Sequence, residues 1–163
     1  MSDARRVLLL GGLTLAILGM CHGTWYAVFA EHQALDRIGG SLGTAFTQAS
    51  ERNGAQAMAA LSEYREAKYA HERQGDAHGH WIGLAMLLIV LSMAFDRIML
   101  AEKQKLALAT GLLAGATLFP LTVLLQILSH GSVPRVLTIA SSALMIAALA
   151  ITTVGLLVNR ASS

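Results

Sequence analysis

The chain has 163 residues, 55% of them hydrophobic and only 13% charged, with a mean hydropathy of +0.56. A soluble domain carries about 25% charged residues, so much of this surface is not built to face water. A net charge of +2 without a basic stripe gives nucleic acid no footing, and the single cysteine, Cys21, excludes an intrachain disulfide.

A helix needs roughly 20 mostly apolar residues to cross a bilayer core about 30 Å thick. The first stretch that qualifies runs from about residue 7 to 30. Arg5 and Arg6 precede it in the manner of a signal peptide, but the apolar run continues through Trp25, Val28 and Phe29, too far for a signal h-region. Leu18-Gly19-Met20-Cys21 has Met20 where a lipoprotein cleavage box wants a small residue. The expectation is an uncleaved anchor.

Residues 31–77 follow, too long for a bare connection. Ala57, Met58, Leu61, Tyr64 and Lys68 recur at helical spacing with charges between them. Gly39-Gly40 and Gly54 read as breaks, and Gly75-Asp76 as the end of the last piece. This segment is expected to form one or two amphipathic helices, continuous with or lying over the outer end of the bundle.

The remaining spans are placed at about 80–100, 106–128 and 136–158, with Pro120 expected to kink the third. Lipid leaves no backbone group unsatisfied, so each span is read as helix. The fold class is therefore all-α: a four-helix transmembrane bundle with a helical extramembrane cap between the first two spans, in a single domain.

Basic residues set the orientation. Arg5, Arg6, Arg97, Lys103, Lys105 and Arg160 lie on one side, close to the span ends. Arg37, Arg52, Arg65, Lys68, Arg73 and Arg135 lie on the other, most of them in a long loop that also holds seven acids. Charges near the spans dominate, so both termini are expected in the cytoplasm of a bacterial inner-membrane protein. Trp25, Tyr26 and Trp81 read as an outer aromatic belt.

Six histidines fall toward the outer face: His22, His32, His71, His78, His80 and His130. His22 and His80 are expected inside spans, at one depth, about 24 Å from the inner boundary at 1.5 Å per residue. Ionisable residues in a span are costly and suggest a site. Gly19 and Gly23 flank the first, Gly79 and Gly83 the second, each as a G-x-x-x-G step that lets helices approach. Gly111 and Gly115 repeat the step. The sharp reading is a haem b held between His22 and His80. The plain one is helix packing, with His22 bonded to a neighbour such as Thr24, Tyr26 or Gln126.

A metal ion is the competing chemistry. Met20, Cys21 and His22 would suit copper, but consecutive helical residues point about 100° apart and cannot share one ion. His71, His78 and His130, with Asp76 and His80 nearby, form the other candidate set, though no spacing enforces it. No hydrolytic or transferase motif is present in the sequence.

Leu18-Gly19 and Gly23-Thr24-Trp25-Tyr26, followed by His78-Gly79-His80 and Gly83-Leu84, resemble the H-x-H span openings of small four-helix bacterial membrane proteins distantly similar to haem–copper oxidase subunits. The resemblance covers the first two spans. It implies at most one haem-type site at His22 and His80, because the oxidase family's further histidines are missing from the later spans. The functional expectation is an accessory or scaffold subunit of a larger membrane assembly, a respiratory one included. Its expected partners are lipid and other membrane helices, or a second copy. The alternatives are a haem or metal electron-transfer protein, and a sensor or transporter.

Overall fold

The computed structural model describes residues 1–129 and 131–161, with side chains as far as 158. Five α-helices carry the described residues: α1 (Asp3–Trp25), α2 (Glu31–Ser50), α3 (Gly54–Ala94), α4 (Glu102–Leu128) and α5 (Ser132–Ala161). Among the described residues there is no strand. The helices at Asp3–Ser50, Gly54–Arg97, Glu102–Leu128 and Ser132–Val158 each hold a stretch long and apolar enough to cross a membrane.

Helix α1 buries Ala4, Leu8, Gly12, Leu15 and Gly19. Their spacing of three or four residues is one helix face. That face lies on α3, where Trp81, Ala85, Leu88 and Ser92 repeat the same spacing. Gly12 sets the distance: a Cβ there would sit 3.0 Å from the Ala85 carbonyl oxygen. Membrane helices hold together through such close packing, because lipid offers no hydrophobic drive. Leu8, Leu88, Phe95, Ile98 and Leu112 are fully buried where α1, α3 and α4 meet. Met145 of α5 packs on Gly115 of α4, and Ile98 on Gly155 of α5. The outward side chains of α5, including Ile139, Ile146 and Val154, are exposed, as a lipid-facing surface requires.

The N-terminal end of the bundle is tied by charge. Asp96 accepts from the Ser2 hydroxyl and from Arg5 Nη1, the latter at 3.2 Å. Lys105 is buried and reaches Glu102 at 3.2 Å. Between them, residues 95–97 form a 3-10 turn and Ile98 is extended, so the helix carrying the second apolar stretch stops at Arg97 and does not reach Leu100.

The extramembrane segment differs most from expectation. Helix α2 runs through Gly39-Gly40 without a break, and α3 runs through Gly75-Asp76 for 41 residues. At 1.5 Å per residue α3 is about 60 Å long, twice a bilayer core. Its C-terminal half packs in the bundle and its N-terminal half pairs with α2. The two helices reverse at 51–53, where Arg52 takes a left-handed conformation with φ 60°. The result is a two-helix antiparallel arm continuous with the bundle, the first of the two arrangements expected for the helical cap. Glycine weakens a helix by about 1 kcal/mol, and tertiary pairing overrides that here. The seam of α2 is Ala34, Ile38, Ser41, Ala45 and Gln48, and that of α3 is Ala57, Ala60, Tyr64 and Ala67, all at least partly buried.

Pro120 is buried inside α4, which continues beyond it to Leu128.

Candidate functional site

Where arm meets bundle, the seam turns polar. On α3 the residues at seam spacing are His71, Gln74 and His78, then Trp81. Each finds a partner on α1 or the turn that follows it. His22 Nε2 lies 2.9 Å from Gln74 Oε1. The Tyr26 hydroxyl lies 2.7 Å from His71 Nδ1. His78 Nδ1 lies 2.9 Å from the Gly19 carbonyl oxygen.

Hydrogen-bond chemistry sets the tautomers. A carbonyl only accepts, so His78 carries its proton on Nδ1. With Gln74 Oε1 accepting, His22 carries its proton on Nε2 and leaves Nδ1 bare when neutral. That Nδ1 and Trp81 Nε1 are buried with no partner among the described residues. Their rings meet edge-on, 5.1 Å apart.

The backbone is adapted to this cluster. Residues 26–30 form a π-helical turn, a wide turn frequently found at functional sites. It inserts one residue, so the seam resumes at Glu31 and Ala34, while Phe29 and Gln33 stay exposed. Gly23 is required by the imidazole opposite: a Cβ there would fall 2.4 Å from His78 Cε1 and Nδ1. A cleft of about 380 Å³ opens beside the cluster, lined among others by Tyr26, Glu31, His71, Glu72 and His78. Its volume is within the range of small-ligand sites.

The structure divides the candidate histidines. His22, His71 and His78 belong to the junction. The exposed His80 is aimed at α4, its ring 4.7 Å from that of Phe119. The partners of His22 on α3 are thus Gln74 and Trp81 rather than His80. Adjacent helical positions point about 100° apart, so Trp81 facing α1 puts His80 on another side of α3. A haem iron would meet a His22 Nε2 already held by Gln74. Gly19 and Gly23 pack on α3, but Gly79, Gly83 and Gly111 have nothing within 4 Å of a Cβ position. His130, the third member of the metal set, lies outside the described residues. Among the described residues no group of three His, Cys, Asp or Glu side chains is arranged to hold a metal ion.

Two further readings change. Trp81 is buried core, not interface belt, whereas Trp25 is exposed. Gln126 serves not His22 but a second link between arm base and bundle. It accepts from the Tyr69 hydroxyl at 3.1 Å and donates to Thr138 Oγ1 at 2.8 Å. The sequence signal for the junction was present: His71, Gln74, His78 and Trp81 continue the three-four spacing of Tyr64 and Ala67.

Comparison with protein-family models, with curated proteins and with solved structures found no match.

Proposed function

We propose that this membrane protein is an accessory subunit: a four-span anchor that holds a helical arm outside the bilayer as a docking element. The observation that carries the reading is the arm's poor self-sufficiency. Short helices gain most of their stability from tertiary packing. In the arm only Ser41, Ala60 and Ala67 are buried, and a buried methyl-sized group contributes about 0.8 kcal/mol. Gly39, Gly40 and Gly43 each cost α2 about 1 kcal/mol relative to alanine, and no described side chain occupies the space they leave. A long helix pair with so thin a seam is suited to packing against something else.

Anchoring fits the same role. Gly79 and Gly83 leave a small-residue face open on α3, a surface on which a partner helix can pack. Placement in a bacterial inner membrane with both termini cytoplasmic is part of this proposal, supported by the basic residues near the span ends. The junction cluster then fixes the arm to the bundle through three histidines.

Extraction in a mild detergent followed by sizing tests the reading. An assembly larger than one chain is expected, reduced to a single chain by Phe46→Glu, which changes a side chain of α2 that is 70% exposed. A homogeneous single chain from native membranes, under conditions that preserve other complexes, would contradict it.

A further inference from the structure

The π turn decides what the junction cleft offers. Five α-helical steps of about 100° would leave Glu31 about 140° from Tyr26. Instead the Glu31 amide donates to the Tyr26 carbonyl across the π turn, and both residues line the same cleft. From α3 the cleft takes His71, Glu72 and His78. Gly23, Ala27 and Gly75 also line it, so bulky side chains do not fill the space.

The polar groups there are chiefly acceptors. Glu31 is half-buried, and among the described residues no cation of this chain lies within ion-pair distance of it. Glu72 has one ion pair, to Lys68 at 3.7 Å. Both of those side chains are half-exposed, so the pair contributes little. His78 donates its Nδ1 proton to the Gly19 carbonyl, which leaves Nε2 a bare acceptor in the neutral ring. The Tyr26 hydroxyl and His71 Nδ1 satisfy each other. No lysine or arginine lines the cleft. Arg73 of α3 pairs instead with Asp76 at 3.0 Å and lies over the Tyr69 ring.

A partly desolvated carboxylate without a partner is costly. The group that satisfies it brings positive charge and N–H donors. An anion would be repelled by both carboxylates. A bare metal ion does not fit, because among the described residues no three ligating side chains are arranged for one. We infer that the cleft binds a primary ammonium group. The apolar run of the first span ends at about residue 30, and Val28 and Phe29 beside the cleft are exposed. The cleft therefore lies where the span meets the headgroup layer. The ammonium has two possible sources, a small free amine and the headgroup of an ethanolamine phospholipid.

The full chain with isotope-labelled histidine, in phosphatidylcholine nanodiscs at fixed pH, tests this. Choline is quaternary and has no N–H to donate. Titrated ethanolamine should shift the ring signals of His71 and His78 saturably. His32, with a side chain 87% exposed, should not move. If lipid is the source, ethanolamine has no effect, and replacing the disc lipid with phosphatidylethanolamine produces the same shifts. Either response should need about tenfold more ethanolamine or phosphatidylethanolamine in Glu31→Gln, which keeps the side-chain shape and removes the charge. Tetramethylammonium, a cation without N–H, should not reproduce the shifts in the unaltered chain. No shift from either source, equal potency in Glu31→Gln, or an equal response to tetramethylammonium would each overturn the inference. The docking role of the arm stands apart from all of these outcomes.

Discussion

Gly23→Ala probes the junction through a single methyl group. The new Cβ would fall 2.4 Å from two atoms of the His78 ring, closer than carbon atoms tolerate. The clash is with a side chain and not with backbone, so the ring can swing away. Moving it breaks the 2.9 Å bond to the Gly19 carbonyl and leaves a partly buried polar group unmet, at a cost of about 1–3 kcal/mol. The expected destabilisation is therefore about 1–3 kcal/mol, read as a shift in unfolding midpoint for purified protein in detergent micelles. The decisive arm is the double-mutant cycle with His78→Ala. Once the imidazole is gone the methyl group has room, and Gly23→Ala should become nearly neutral. An equal cost in both backgrounds would refute the reasoning, because the clash would then lie elsewhere.

Phe95→Ala removes a fully buried ring and is expected to cost about 3–5 kcal/mol, whereas Met93→Ala, at a position 72% exposed, should barely move the same midpoint. In a Cys21→Ser background, Gly54→Cys and Met99→Cys should react with an impermeant maleimide from opposite sides of the membrane; labelling from one side would break the single-span reading of α3. Protein purified from haem-supplemented cells is expected to be colourless, since His22 and His80 face different neighbours. A low-spin Soret band lost in both His22→Ala and His80→Ala would instead restore haem ligation.

The four long apolar helices were legible because each is an apolar run long enough to cross a bilayer, and α4 and α5 fall close to where hydropathy puts them. The arm was only partly legible. Tyr64 and Lys68 signalled a helix, but Gly39-Gly40 and Gly75-Asp76 signalled breaks that pairing along the seam overrides. The π turn has no sequence marker of its own. The pairing of His22 with His80 was drawn from matched depth and from the glycines that flank each, neither of which fixes the azimuth of an imidazole. Extending the seam spacing from Tyr64 through Ala67 would have turned His71, Gln74 and His78 toward α1 and His80 away from it.

The proposed docking role requires a partner to order the arm. Hydrogen exchange measured residue by residue compares the chain held at one copy per nanodisc with the same chain in native membranes. The account predicts that α2 and residues 54–70 of α3 exchange much faster than the bundle in the single-copy disc and become protected in native membranes. Equal, bundle-like protection of the arm in both settings would contradict it.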